Sequence, residues 1–562
     1  MTSSAVAPRE LGSDPLNVAA WLPRMASRDP QALAVAVAWR KGYHRLTAAD
    51  LDARCDSVAR GLMSLGIGRG TRTVVMITPS PEFFAVTFAL FKIGAVPVMV
   101  DPGMGVANLG RCLAEAEPEA FIGITKAHVA RCLLGWARRS VKICVTVGPR
   151  FGWGGTSLSA LERGVARRAD GTVEPVVPIE PGRDETAAIL FTSGSTGVPK
   201  GVVYPHRVFA AQVCSLRDAF GIEAGEIDLS TFPLFALFGP ALGMASVVPL
   251  MDASRPAAAD PEHLLAALND FGCTSMFASP ALIEKLGRHC SKHGLTLPSL
   301  RRAISAGAPA SASALERFSG LLSNGAQVWT PYGATEAMPV TSIGSDEILS
   351  DTCSATASGA GVCVGVAVPG IKLAVIALTD ERIARWSDAD VLSPGKIGEI
   401  VVQGPVVTEA YWGRDEQTAL AKIVDDDGSV RHRMGDVGWL DERGRLWMCG
   451  RKSHRVRTNE CTMFTVPCEA VFNTHPAVFR TALVGVEGGA GIRPVLCVEL
   501  EQDSRDADKD VLTRELLSLG AAHNHTRSIE SVLFHDGFPV DVRHNAKIFR
   551  EQLAVWAARR LR

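Results

Sequence analysis

Short apolar runs rich in Val and Ile recur along the chain, at Thr73 to Ile77, Ala95 to Val100, Val141 to Val147 and Ala188 to Phe191. They read as buried strands. Between them lie longer stretches of helical spacing, such as Ala48 to Leu65, where Leu51, Val58, Leu62 and Leu65 fall on one face. Gly- and Pro-rich connections follow at 101–105, 152–155 and 180–182. This alternation predicts an α/β fold, with helices covering β-sheets. No fixed-period repeat is present. From about Gly450 the character changes: a basic stretch, RKSHRVR, leads into strands and helices that end in the basic tail ARRLR. The expected division is therefore a large N-terminal domain over 1–450 and a small α+β C-terminal domain over 451–562.

The length of 562 residues agrees with at least two domains, because single cores stop growing near about 250–300 residues. A hydrophobic fraction of 47% with 21% charged residues excludes disordered and collagen-like classes. Lys plus Arg (58) and Asp plus Glu (59) nearly cancel, so there is no global field to attract nucleic acid or an anionic membrane. Any phosphate binding must be local. The thirteen cysteines are scattered, form no C-x-x-C pair and are odd in number, which points to free thiols and a cytoplasmic location. Arg9 and Glu10 stand where an export signal would carry its apolar stretch. Between Asp228 and Asp252 no charged residue occurs, a stretch long enough to cross a bilayer core of about 30 Å. Pro233, Gly239, Pro240, Gly243 and Pro249 instead favour buried core or the wall of an acyl pocket, so no transmembrane segment is expected.

The most informative segment is ILFTSGSTGVPKGVV, Ile189 to Val203, where an apolar strand enters a loop of small residues. Gly194 and Gly197 let backbone fold around an anion, the hydroxyls of Thr192, Ser193, Ser195 and Thr196 add donors, and Lys200 adds charge. A flexible Ser/Gly loop is the bland alternative; the ordered lysine after Pro199 and the flanking strands favour polyphosphate. A Walker loop is disfavoured, since the lysine follows proline and precedes Gly201. Gly359, Gly361 and Gly365 form a loose dinucleotide-like pattern without a preceding strand and read as a turn. His289 and His293 have a possible metal spacing, but Gly294 follows, so they read as the basic last turn of a helix.

At TSGSTGVPKG the chain resembles the ANL superfamily of adenylate-forming enzymes, which holds acyl-CoA synthetases, peptide-synthetase adenylation domains and luciferases. The resemblance implies ATP-dependent, Mg²⁺-dependent activation of an apolar carboxylic acid as acyl-AMP with release of pyrophosphate. It also implies that the small C-terminal domain is mobile about a hinge. SAGAP, Ser305 to Pro309, is similar to the adenine-pocket segment, which assigns Gly307, Ala308 and Pro309 to nucleotide binding. YGATE resembles the nucleotide and metal motif: Tyr332 would stack on adenine beside Gly333 and Ala334, Thr335 would touch the α-phosphate, and Glu336 with Thr192 would hold Mg²⁺. Asp436 resembles the ribose-binding aspartate, and Gly450-Arg451 the pair that opens the hinge, with Arg451 also at the nucleotide. PVDVRHNAKIFR resembles the terminal lysine motif, so Lys547 would reach the site to stabilise charge during carboxylate attack, alongside Lys200 and Glu336.

Several positions depart from the superfamily pattern. Ala236 stands where many members carry a ring, Ser453 takes the hinge position usually held by Asp or Lys, and Ala546 replaces the glycine before the lysine. Glu460 falls where thioester-forming members have a glycine, and a carboxylate there would crowd and repel phosphopantetheine. The stretch from Arg451 to Pro467 is also about two residues longer than the common spacing. FKIGAVPVMVDPGMG, PLFALFGPALG and RHNAKIFRE are similar to the β-lactone synthetases of olefin biosynthesis, the OleC type. That resemblance implies a long-chain β-hydroxy acid whose own hydroxyl attacks the acyl-AMP and closes a β-lactone, in association with other olefin-pathway enzymes. His206 is a candidate base, with a structural histidine as the alternative. A long-chain acyl-CoA or acyl-AMP ligase and an idle scaffold are the competing readings; the intact Lys200, Glu336, Asp436, Arg451 and Lys547 oppose the last.

Overall fold

A computed structural model describes residues 14–40, 42–192, 199–489, 491–540 and 548–561. The expected strands and helix form with shifted ends: strands at Arg72–Met76, Val96–Val100, Ile143–Val147 and Thr186–Thr192, and a helix at Ala48–Ser64. That helix starts where Thr47 and Asp50 cap each other's backbone N–H groups. Its apolar face, Leu51, Cys55, Val58 and Leu62, is fully buried.

Two large sheets dominate. A seven-stranded sheet runs, in spatial order, Thr156–Ser157, Ile143–Val147, Ala120–Ile124, Arg72–Met76, Val96–Val100, Thr186–Thr192 and Lys200–Pro205. A nine-stranded sheet has at its centre the parallel strands Ala245–Val248, Ile227–Ser230, Ser275–Ala278, Arg302–Ser305 and Gln327–Ala334. Between them lies a layer of helices, among them Pro81–Lys92 and His206–Phe220, that merges both sheets into one core. Phe83 to Phe91 of Pro81–Lys92 carry no charge on any side because they are buried on every side. A third, six-stranded antiparallel sheet carries Val430–Leu440 against Leu446–Arg451.

After Arg451 the chain turns at Lys452–His454 and builds a smaller layer. Val478–Gly488, Gly491–Leu500 and Ser531–Phe534 form its sheet. Strand alternation sends Leu483, Leu496 and Val498 toward the helices Thr465–Phe472 and Lys509–Ala521, and Ala482, Val484 and Val495 toward Arg550–Arg560. The fold is thus a large α/β body with a small α+β unit at its C-terminal side.

The charge-free segment expected at 228–252 is core: it supplies two strands and the short helices Pro233–Ala236 and Gly239–Leu242. Among the described residues no helix is long and apolar enough to cross a membrane. All thirteen cysteines are free thiols, and eight of them are buried. His289 and His293 end the helix Pro280–His293, closed by Gly294, with no metal cluster among the described residues. Gly359 sits in a turn, Gly361 and Gly365 in the connections before two short strands, and no helix opens after them.

Two buried charges test the packing. Lys92 is enclosed between two helices and donates to Asp52 (2.6 Å) and Asp56 (2.5 Å). Lys92→Met leaves a buried carboxylate without its cation, and urea unfolding should show a loss of about 3–5 kcal/mol. Asp228 accepts from Ser230 at 2.5 Å, yet burial outweighs its hydrogen bonds and pushes its carboxyl up to about 6. A carboxyl raised on folding contributes stability below its unfolded value near 3.8 and loses it as pH rises through about 6. Asp228→Asn should therefore gain on the parent protein by about 3 kcal/mol between acid and neutral pH. Urea midpoints at both pH values measure it, and a pH-independent difference would refute the assignment.

Candidate functional site

The candidate site lies where the parallel strands of the nine-stranded sheet end, the side from which α/β sheets present ligand-binding loops. Arg302–Ser305 ends in Ser305, whose Oγ is buried and finds no partner among the described residues, and SAGAP follows it with Gly307, Ala308 and Pro309 in the connecting loop. The next strand, Gln327–Ala334, carries Tyr332, Gly333 and Ala334, then turns through Thr335 and Glu336 into its antiparallel partner Ala337–Gly344.

Glu336 is fixed from three directions. Its Oε1 accepts from the Tyr411 hydroxyl at 2.7 Å, and its carbonyl accepts from the Thr408 N–H at 2.9 Å and the Thr408 hydroxyl at 3.1 Å. The Tyr204 hydroxyl donates to the Thr335 carbonyl. Lys422, buried beneath, donates to the Thr408 carbonyl. Lys200 and Lys422 stand 4.9 and 6.0 Å from the Tyr411 ring centroid, so two cations share one aromatic ring.

Burial lowers both ammonium groups, against the attraction of Glu336, and Lys422 is pushed down to about 7. Burial and the Glu336 charge raise Tyr411, so its phenol stays a donor. His432 is held neutral, first by burial and then by the neighbouring Lys422 charge.

A second cluster adjoins the first. The Tyr332 hydroxyl donates to Asp436 Oδ2 at 2.7 Å, and Arg451 approaches Asp436 Oδ1 at 3.0 Å. Asp436 and Arg451 face each other across the antiparallel pair Val430–Leu440 and Leu446–Arg451. Asp436 is buried, and its charge raises the Arg451 guanidinium. At Gly450 (φ +122°) a Cβ would meet Thr465 Oγ1 at 2.6 Å, so this strand end admits only glycine against the smaller unit.

The structure thus gathers Lys200, Tyr332, Glu336, Asp436 and Arg451, while Gly307, Ala308 and Pro309 occupy the loop after the neighbouring strand. Thr192 is the Cα partner of Lys200. Ser193, Gly194, Ser195, Thr196, Gly197 and Lys547 lie outside the described residues. Ala236 is buried in the core, its carbonyl accepting from Ser246. His206 lies at the start of His206–Phe220, and Glu185 and Arg69 are the charges that act on it; burial pushes it down to about 4. Phe235 of the PLFALFG segment and Phe232 just before it both stack on Phe277, at 4.3 and 5.9 Å.

Sequence reasoning missed Tyr204, Thr408, Tyr411 and Lys422. A signal existed: the chain has only four tyrosines, and three of them, Tyr204, Tyr332 and Tyr411, hydrogen-bond within this site. At the turn, Ser453 is exposed, but Lys452 donates to Glu399 (3.1 Å) and the Thr379 carbonyl (2.9 Å), and Arg455 reaches Asp380 at 3.4 Å. The charge absent at 453 is present on both sides of it.

Residues 22–412 match the AMP-binding enzyme family. The chain is 51% identical to an olefin beta-lactone synthetase of Stenotrophomonas maltophilia, over 97% of this chain and 99% of that protein. It is 50% identical to an olefin beta-lactone synthetase of Xanthomonas campestris, over 96% and 97% respectively. In fold it is similar to ATP-bound MatB from Rhodopseudomonas palustris, with a TM-score of 0.77 and 23% identity, over 97% of this chain and all of the other. With the motifs in order, the site assembled and half of all residues shared along the full length, the chain belongs to the AMP-binding enzymes and, within them, to the family of the olefin beta-lactone synthetases.

Proposed function

We propose that this enzyme activates a long-chain β-hydroxy acid with ATP and closes it to a β-lactone, releasing AMP and pyrophosphate. The observation that carries the reading is the paired cluster of Glu336 held by Tyr411 and Asp436 held between Tyr332 and Arg451, in a chain half identical to two olefin beta-lactone synthetases. The enzyme is assigned to the cytoplasm, with other enzymes of its pathway as partners, on the strength of its free thiols and this kinship.

The residues fit a nucleotide with Mg²⁺. Among the described residues no three His, Cys, Asp or Glu side chains converge on a metal position, so those residues offer no cage. That suits Mg²⁺, which keeps waters and binds through one or two carboxylates plus substrate phosphates. Glu336 and Thr192 would hold it, and when bound it neutralises charge on the phosphates. Gly307, Ala308, Pro309 and Tyr332 to Ala334 take the adenine, Asp436 the ribose with Arg451 beside it, and Thr335, Lys200 and the segment 192–197 the phosphates.

The substrate carboxylate attacks the α-phosphorus, pyrophosphate leaves, and Lys547 balances the developing charge. The β-hydroxyl oxygen then bonds to the acyl carbon, the bond from that carbon to AMP breaks, and the hydroxyl proton passes to the phosphate of the departing AMP. Tethering supplies the effective concentration that ring strain demands. His206, buried at the start of His206–Phe220 with Glu185 and Arg69 as the charges that act on it, stays the candidate base, with a structural histidine as the alternative. The domain boundary falls at Gly450, and the units pivot at Lys452–His454, where Lys452 and Arg455 grip Glu399 and Asp380.

Val540 pairs with Ile548, and Arg550 grips Glu469 through its two terminal guanidinium nitrogens at 2.5 and 2.9 Å. Lys547→Ala should abolish acid-dependent pyrophosphate release with ATP affinity retained. Arg550→Ala should lower it more than about tenfold, with partial rescue by Arg550→Lys; undiminished release in folded Lys547→Ala removes that lysine from the reaction. The product test is direct: AMP, pyrophosphate and a β-lactone should appear by NMR at a rate indifferent to coenzyme A, since Glu460 stands exposed at the tip of the hairpin Val456–Arg457 and Thr462–Met463. An acid lacking the β-hydroxyl should stall after adenylation. Efficient acyl-CoA formation from both acids, without lactone, would establish a ligase instead.

A further inference from the structure

The chain is nearly neutral overall, yet from Ala120 to Leu161 it carries Lys126, Arg131, Arg138, Arg139, Lys142 and Arg150 and not one Asp or Glu. This stretch forms the outer edge of the seven-stranded sheet: Ala120–Ile124, the helix Thr125–Leu134, then Ile143–Val147. Among the described residues none of these six cations has a carboxylate within ion-pair distance; the nearest flanking acid, Glu119, is turned to Arg72 at 3.5 Å.

The same edge exposes apolar side chains that a water-facing helix has no reason to carry. Leu133 is 80% exposed, Phe151 63%, Leu134 51% and Val129 40%. Lys126, Val129 and Leu133 recur at helical spacing on one outward stripe. The loop bearing Phe151 and Arg150 is fastened to the start of that helix. The Thr125 hydroxyl donates to the Pro149 carbonyl at 2.6 Å, and Trp153 stacks on His128 at 5.6 Å while meeting Phe151 edge-on at 5.5 Å.

We infer that this edge docks the enzyme onto an anionic lipid bilayer, with Leu133, Leu134, Val129 and Phe151 entering the interface and Lys126, Arg138, Arg139 and Arg150 over the headgroups. Exposed Leu and Phe flanked by unpaired Lys and Arg is the pattern of interfacial membrane helices, and each cation near an anionic surface strengthens binding about fivefold. A bilayer fits better than an acidic protein, because the apolar side chains protrude from a convex helix and a loop tip and do not line a groove. Phosphate binding by nucleic acid would leave them without a role. The inference goes beyond the proposed chemistry and stands independently of it; a long-chain acid and its lactone, both lipids, would then be exchanged where they dissolve.

Co-sedimentation of the full chain with vesicles tests it, using phosphatidylcholine alone or with about two-fifths phosphatidylglycerol. The protein should partition onto the anionic vesicles at low salt and at least about tenfold less onto the neutral ones. Arg138→Glu/Arg139→Glu and, separately, Leu133→Gln/Phe151→Gln should each weaken binding by more than about tenfold, with unchanged turnover of a short, water-soluble β-hydroxy acid and unchanged melting temperature. A protein that stays in the supernatant overturns the inference. So does anionic binding that survives Leu133→Gln/Phe151→Gln undiminished, which would mark a purely electrostatic face for an acidic protein.

Discussion

The grip on Glu336 is the constraint around which this molecule is arranged. One carboxylate must stand beside Lys200 and Lys422 without collapsing onto either of them. It is held by a phenol that brings no charge of its own: Tyr411, kept protonated by burial and by Glu336 itself. The residues that hold it come from 72 and 75 positions further along the chain. The geometry therefore exists only after the segment that follows Gly398–Gln403 has bridged to both large sheets, Val407 to Ala337 and Tyr411 to Val202. Local sequence cannot make it.

Burial then sorts the cations. Lys200 shares the Tyr411 ring with Lys422 but differs from it in its bonds, because Lys422 spends its donors on the Thr408 carbonyl deep under the site. A buried ammonium without a carboxylate partner is costly, and its lowered pKa reflects that cost. Around Asp436 the solution is the opposite: a buried carboxylate paired with a guanidinium across a strand ladder, its second oxygen bound to Tyr332. One cluster keeps charge low and the other keeps it balanced. Both stand ready for an anion to arrive.

Much of this was legible from order alone. The parallel strands are continuous apolar runs because both faces are buried, and the motif residues at their ends keep their identity for chemistry that packing does not require. Tyr332, Glu336, Asp436 and Arg451 came forward because each belongs to a motif with a recognisable neighbour. Tyr411 and Lys422 did not, since a tyrosine and a lysine in ordinary surroundings carry no local mark. Their meaning appears only when Val430–Leu440 folds against Lys422–Val424 and sets them under the hairpin. Ser453 misled in the same manner: the missing charge was sought at one position, while the ion pairs of that turn are made from 452 and 455.

The burial of the thiols has a chemical consequence of its own. A β-lactone is a strained acylating agent, and sulfur attacks such an electrophile as thiolate. Cys55, Cys112, Cys273, Cys363, Cys449, Cys468 and Cys497 are buried in apolar surroundings that raise their pKa, so each stays protonated and shielded at neutral pH. Only Cys132 and Cys461 are exposed. A catalyst that releases such a product is therefore largely spared self-inactivation, and the surface thiols at 132 and 461 are where chemical wear would begin.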